Sequence, residues 1–258
     1  MVNLKNYNVG IKFFVLFLTF TLTLSCSQQK MFVTRIEGKE IGITEKQSGD
    51  PKFESFIKPY RDNIDNDLNT VLAVAPQTLD KSGQWQSTIG NLMADVTLAQ
   101  CNTIFLKREN TNIDLCLLNH GGIRSIIAQG NVTARTAYEI MPFENSAYVV
   151  ALKGEQLLDM ANYIIAEKKP HPLSGMAFTI GKDNLAKNIT IGGKSLSLEQ
   201  TYYVVTSDYL INGGDNMVFF KKATAKYDLD YKLRNVLIDY FKEVDTIPMI
   251  TDQRIFVE

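Results

Sequence analysis

The sequence predicts a mixed α/β (α+β) fold, and three observations support this class. Short apolar runs typical of buried strands alternate along the chain with stretches in which apolar residues recur at helical spacing. The composition, 45% hydrophobic and 21% charged over 258 residues, is that of a globular protein with enough chain for a good-sized core. No internal repeat or low-complexity tract interrupts the alternation, so residues 50–258 are predicted to form one domain.

Residues 1–25 have the features of an export signal. Lys5 and Lys12 give a weakly basic start, and a short apolar run over residues 11–24 ends at Ser25 and Cys26. A cysteine directly after a small residue resembles a bacterial lipoprotein signal, in which Cys26 becomes the lipidated first residue. A plain signal peptide cut nearby is the alternative. The prediction is an exported protein of the cell envelope, lipid-anchored to a bacterial membrane on its periplasmic or surface face.

Residues 26–49 are predicted to be a tether or entry strands of the domain. Within it, weak alternation over residues 31–44 indicates two short strands around Gly38. The remaining cysteines, Cys101 and Cys116, then lie in an oxidising compartment, where a disulfide between them is one interpretation and two buried free thiols are the other.

The rest of the chain supplies the elements of the α/β domain. Apolar residues at helical spacing predict five helices, over residues 50–68, 87–98, 133–141, 154–165 and 231–241. Apolar or β-branched runs predict strands over residues 71–75, 113–118, 148–152, 176–180, 189–191, 194–198, 202–206 and 254–257. The glycine pair at residues 192 and 193 predicts a hairpin turn between two of these strands.

The charge balance and the histidine count exclude two classes of function. With 27 basic and 28 acidic residues, the chain lacks the clustered basic excess that nucleic acid requires. Its two histidines cannot supply a His-rich two-metal hydrolase centre. His171, between two prolines, is predicted to be a solvent-exposed loop residue. His120, in a glycine turn, is predicted to lie at the surface, and a position facing a ligand is the alternative.

Three clusters carry candidate binding chemistry. In the first, an apolar strand runs into Asn119, the glycine pair Gly121 and Gly122, and then Arg124. Paired glycines let a ligand approach the backbone closely, and arginine is a forked donor suited to phosphate or carboxylate. A plain turn followed by a surface arginine is the alternative.

The other two clusters each present an aromatic side chain on a loop. One places Phe143 and Asn145 after a proline. The other follows a buried strand with Tyr209 and then with Asn212, Gly213 and Asp215. An aromatic face can stack on a base, and a carboxylate in a glycine loop can accept two ribose hydroxyls. A core phenylalanine and a tight turn capped by the aspartate are the respective alternatives.

Together, and in this order, the three clusters resemble the C-terminal domain of the 5′-nucleotidases, from about residue 50 onward. The helix start at Gly90-Asn91-Leu92 and the Lys153-Gly154 pair before a helix match the same family. The resemblance implies a layered α/β/β/α domain that clamps a base between two aromatics, here Phe143 and Tyr209.

The resemblance also implies roles for the polar residues. Asn119 would hydrogen-bond the base or nucleoside, Asp215 would hold the ribose hydroxyls, and Arg124 would reach the phosphate. The family adds an arginine late in the helix that begins at Gly90. This sequence has none there, with residues 107 and 108 as the nearest substitutes, and the difference favours a nucleoside over a nucleotide.

The metal motifs of the family's metallophosphoesterase domain are not found in these residues, so no catalytic residue, metal ligand or cofactor is predicted in this chain. Divalent metal is expected only in a partner. The first hypothesis is therefore the nucleotide-recognition half of a 5′-nucleotidase, completed by a separate metallophosphoesterase chain. The second is a non-catalytic nucleoside- or nucleotide-binding lipoprotein, and the third is a relic of the fold that binds nothing.

Overall fold

The computed structural model describes residues 4–23, 32–42, 44 and 49–258, and the chain divides into two units, Met1–Pro51 and Lys52–Glu258. The first unit contains helix α1, Leu4–Thr23. Residues 32–42 are without helix or strand, so the two strands expected around Gly38 are not formed. The side chains of residues 32–42 are exposed, and alternating apolar residues have no sheet face to cover there.

Cys26, the expected lipidation site, lies outside the described residues. Among the helices in the described ranges, none has the length and apolar character needed to cross a membrane.

Six α-helices and eleven strands lie within the described residues of the second unit, apart from Pro51, which begins the first of these helices. The helices are α2 Pro51–Asn69, α3 Thr88–Glu109, α4 Ala134–Ile140, α5 Gly154–Glu167, α6 Asp208–Ile211 and α7 Leu233–Glu243. The strands are β1 Val71–Ala75, β2 Leu115–Leu117, β3 Gly130–Thr133, β4 Ser146–Lys153, β5 Leu173–Ser174, β6 Met176–Ile180, β7 Ala186–Ile191, β8 Lys194–Ser195, β9 Thr201–Ser207, β10 Ala225–Lys232 and β11 Ile255–Val257. This confirms the mixed α/β class.

A five-stranded sheet, ordered β10-β4-β9-β2-β5, separates two hydrophobic cores. Side chains that alternate along its strands reach opposite cores: Val149 and Val205 point to the first, Val150 and Val204 to the second. The first core is completed by helices α3, α4 and α7. The second is completed by α5 and by a four-stranded sheet, ordered β11-β6-β7-β8. Helices and sheets are thus stacked in layers.

Arg254 fastens the C-terminal strand to this framework. Its Nη2 lies 2.6 Å from Asp95 Oδ2 on α3, and its Nε lies 2.6 Å from Asp252 Oδ2. A further guanidinium nitrogen donates to the carbonyl of Leu173. Arg254 is 8% exposed, and because a buried charge requires such partners, the chain following α7 is held at α3 and β5.

Candidate functional site

The order of the strands gathers three distant loops at one edge of the five-stranded sheet. β2 and β9 are parallel neighbours, so the segments that follow them emerge side by side. β4 is antiparallel to β9, with Ala147 opposite Ser207, so the segment preceding β4 begins at the same edge. These three segments carry the three clusters that the sequence singles out.

The three segments enclose a cleft of about 360 Å³, the main cleft. It is lined by Asn119, Gly121, Gly122, Arg124, Phe143, Asn145, Tyr209 and Asp215. Eight of the ten predicted binding residues therefore line one site. The other two shape the turn behind it: Asn212 Nδ2 donates to the Asp208 carbonyl at 2.8 Å, and Gly213 adopts a φ of 89° that favours glycine.

Asp215 is the centre of a hydrogen-bond network in the main cleft. Asn119 Nδ2 donates to its Oδ2 at 2.6 Å, and the Tyr209 hydroxyl donates to its Oδ1 at 2.8 Å. The hydrogen bond to Asp215 raises the pKa of Tyr209 and keeps the hydroxyl a donor. A carboxylate held between an amide and a phenol is fixed in place, with room on its oxygens for further donors.

The two aromatic side chains are the most apolar part of the main cleft. Phe143 is 41% exposed and Tyr209 is 44% exposed, so neither ring is packed away in a core. The guanidinium carbon of Arg124 lies 5.9 Å from the centroid of the Phe143 ring, within cation–π range. Exposed aromatic faces beside a fixed cation suit a planar ligand that carries negative charge.

The structure shows a cation near the main cleft that the sequence analysis missed. Lys81 Nζ donates to the carbonyl of Ile123 at 2.7 Å, beside Arg124. Burial, and then the charge of Arg124, lower the pKa of Lys81. Arg108, one of the expected substitutes, instead donates to the carbonyls of Asp228 and Leu229. Lys81 lies more than 40 residues before Arg124 in the chain, so no local sequence signal pairs the two cations.

The prediction that His171 is exposed is wrong. His171 is 3% exposed, and its ring packs against Tyr163 with 5.6 Å between ring centroids. The backbone N–H of His120 donates to His171 Nδ1 at 3.2 Å, which draws the loop inward despite the flanking prolines. His120 is itself half-buried rather than at the surface. Of the two interpretations of the cysteines, the structure contains buried free thiols at Cys101 and Cys116.

Comparison with known proteins connects this geometry to a family. The family profile described as "5'-nucleotidase, C-terminal domain" matches residues 69–222, more than half of the chain. The chain belongs to this family. A 5'-nucleotidase of Vibrio parahaemolyticus is 23% identical over 215 residues, which are 80% of this chain and 36% of that protein. The cell wall protein Lmo0130 of Listeria monocytogenes is 29% identical over 173 residues, 61% of this chain and 21% of its own.

Solved structures share the fold. The 5'-nucleotidase precursor of Thermus thermophilus has a TM-score of 0.67 at 24% identity, covering 79% of this chain and 42% of its own. The NAD nucleotidase of Haemophilus influenzae has a TM-score of 0.62 at 17% identity, covering 81% and 42%. The chain spans about a third of the length of the Vibrio nucleotidase.

The residues described here do not fit a catalytic metal centre. Within those ranges, no three His, Cys, Asp or Glu side chains cluster so as to hold a metal ion.

Proposed function

We propose that this domain recognises a nucleotide or nucleoside in the main cleft, as the substrate-binding half of a 5′-nucleotidase. The single observation that carries the proposal is the convergence of Phe143, Tyr209, Asn119, Asp215 and Arg124 on one cavity. The aromatic rings stack on the base, the amide of Asn119 bonds its edge, and the carboxylate of Asp215 accepts the ribose hydroxyls. A volume of about 360 Å³ suits a ligand of this size.

Two cations favour a ligand with a 5′-phosphate over the bare nucleoside. Lys81 Nζ is bonded to the carbonyl of Ile123, the residue before Arg124, and burial followed by the charge of Arg124 lowers the pKa of Lys81. Like charges placed together bind an anion well. Neither forms an ion pair with an acid in the described part of the chain; Lys81 Nζ and Arg124 Nη1 donate only to backbone carbonyls. This arrangement revises the preference for a nucleoside that the missing helix arginine indicated.

Calorimetric titration of the full chain with adenosine and with AMP tests the proposal. Phe143→Ala removes a stacking face worth ~1–3 kcal/mol, so both ligands should bind roughly 5- to 150-fold more weakly. Phe256→Ala is the matched control, because Phe256 is equally exposed, at 43%, but lies on β11. Lys81→Met should remove much of the advantage of AMP over adenosine. If wild type binds neither ligand, or if Phe143→Ala binds as tightly as Phe256→Ala, the proposal fails.

We further propose that hydrolysis requires a metallophosphoesterase on a separate chain, since a phosphomonoester is cleaved with the help of metal ions. Its support is that the matched relatives called 5'-nucleotidase extend well beyond the region shared with this chain. Phosphate release from AMP should be absent with the full chain and Mn²⁺ and present once a metallophosphoesterase chain from the same cells is added. Release by the full chain alone would contradict this.

Export and lipid anchoring through Cys26 also remain part of the proposal, supported by the signal-like segment before it. Metabolic labelling with palmitate should mark the wild-type chain and leave Cys26→Ser unlabelled. Equal labelling of both would exclude this anchor.

A further inference from the structure

A second cavity, the adjoining cavity, lies next to the main cleft and has the same volume, about 360 Å³. The two share Gly121 and Asp215 in their walls. The other residues that line the adjoining cavity are His120, Tyr163, Glu167, Lys169, His171 and Asn216. None of these six residues takes part in the binding proposed for the main cleft.

His171 lines the adjoining cavity, and its ring carries an unpaired hydrogen-bond donor. Its Nδ1 accepts the backbone N–H of His120 at 3.2 Å, which leaves the proton of the neutral ring on Nε2. Burial lowers the pKa of His171 to about 4, so the neutral ring prevails at pH 7. His171 is 3% exposed, and its Nε2 is buried without a hydrogen-bond partner among the described residues. A buried donor of this kind is costly unless a ligand or water satisfies it.

His120 adds a second unmatched atom, because its Nδ1 is also buried without a partner among the residues described. The Tyr163 hydroxyl, by contrast, is committed, and donates to the backbone carbonyl of Asp215 at 2.6 Å. Two of the residues that line the cavity, His120 and His171, therefore each carry an unmatched imidazole nitrogen, and Tyr163 adds an aromatic side chain to the same lining.

The charges around the adjoining cavity favour a neutral occupant. Lys169 Nζ lies 2.8 Å from Glu167 Oε2, so these two charges offset each other. Asp215 is the remaining charged side chain in the lining, and its carboxylate is already bonded by Asn119 and Tyr209. An added anion would meet a net negative wall, whereas a carbonyl or hydroxyl oxygen meets the His171 donor without electrostatic cost.

Asp215 connects the adjoining cavity to one end of a nucleotide in the main cleft. It is the only carboxylate among the residues that line that cleft, so the ribose hydroxyls, as donors, turn toward it. The adjoining cavity begins at the same residue. Resting on the proposed function, we propose that the adjoining cavity is a second subsite, which takes a neutral, oxygen-bearing substituent such as an acyl group on the ribose hydroxyls of the bound nucleotide.

The test compares ligands that differ only at the ribose, each titrated into the full chain. The probe is 2′(3′)-O-(N-methylanthraniloyl)adenosine, whose ester carbonyl accepts and whose N–H donates a hydrogen bond, while one ribose hydroxyl stays free for Asp215. It should bind about 3- to 30-fold more tightly than adenosine, the gain expected from one or two new hydrogen bonds. 2′-O-methyladenosine, with no carbonyl, should show no gain, and 3′-AMP should bind more weakly than adenosine.

Two variants locate the effect. His171→Phe keeps an aromatic ring of similar size but removes both ring nitrogens, the Nε2 donor and the Nδ1 acceptor of the His120 N–H. It should abolish the gain of the acylated probe over adenosine when both ligands are titrated into the same variant, so that an effect of the loop on both ligands cancels in the ratio. Because His171 is buried, His120→Ala at a half-buried position provides a second variant that leaves the buried ring in place, with a reduced gain expected.

The results separate this inference from the proposed function. If adenosine binds in a manner that depends on Phe143 but the acylated probe gains nothing, or keeps its gain in both histidine variants, the subsite is refuted and the proposed function stands. Tighter binding of 3′-AMP than of the acylated probe refutes the neutral class of occupant. If adenosine itself does not bind, both proposals fall.

Discussion

The ring of Tyr209 occupies the space that a side chain at Gly214 would fill, and adding a single methyl group there tests the role of the ring. A Cβ at Gly214 would lie 2.5 Å from Cε1 and Cζ of the Tyr209 ring and 2.6 Å from Cδ1. Non-bonded carbon atoms approach to about 3.5 Å, so the ring must retreat by about 1 Å. Gly214 is not among the glycines with positive φ, so alanine fits its backbone, and the strain falls on the ring alone.

The displaced ring should weaken ligand binding far more than folding. It disturbs the stacking face, which is worth ~1–3 kcal/mol, and the 2.8 Å hydrogen bond from the Tyr209 hydroxyl to Asp215. Gly214→Ala should therefore bind adenosine about 10- to 100-fold more weakly. Since Tyr209 is 44% exposed, its ring can shift into solvent, and the free energy of unfolding should fall by less than about 1 kcal/mol.

Calorimetric titration with adenosine gives the affinity, and urea denaturation followed by circular dichroism gives the stability. Tyr209→Phe is the companion variant, because it keeps the ring and removes only the hydroxyl, so its loss of affinity should be the smaller of the two. Wild-type affinity in Gly214→Ala would refute the role of Tyr209 as a stacking face. A large loss of stability would show that the ring is a structural element instead.

Two further predictions concern the framework. Arg254→Met removes the buried cation that joins the C-terminal strand to Asp95, and should lower the free energy of unfolding in urea by about 2–4 kcal/mol. The expected loss is smaller than for a fully buried pair because Asp95 is partly exposed. A change below about 1 kcal/mol would contradict the role of Arg254 in holding this strand. Burial lowers the folded-state pKa of His171 to about 4, below its ordinary 6.5, so folding favours the neutral ring. The free energy of unfolding is therefore highest above pH 6.5, and it decreases by about 3 kcal/mol as the pH falls toward 4. His171→Phe should show a flatter pH profile over this range, and identical profiles would refute the burial argument.

Local signals predicted most of the elements because each depends on neighbours in the sequence. The strand over residues 71–75 and the strand over 176–180 are found with the expected bounds. Helix α3 begins as expected, with the side chain of Ser87 capping the Gly90 N–H, but runs on to Glu109, beyond the predicted end.

Strand β10 is an element that the sequence analysis missed although its local signal is present. Residues Ala225–Lys232 alternate strictly between apolar or aromatic side chains and charged ones, which is the pattern of a half-buried strand. Leu229 is buried in the first core, and Tyr227 and Tyr231 pack against that core. Only the tertiary structure shows that this strand pairs with β4 at the edge of the central sheet.

The site follows the same division. The sequence by itself determined the fold class, the family, and eight residues that line the main cleft, because glycine turns, aromatic residues and the arginine that follows them can be identified locally. Only the tertiary structure decided that Lys81 stands beside Arg124, that His171 is buried, and that a second cavity opens at Asp215. These three features depend on which strand ends meet at one edge of the sheet. The pairing of strands that are far apart in the chain cannot be identified from the local sequence of either strand.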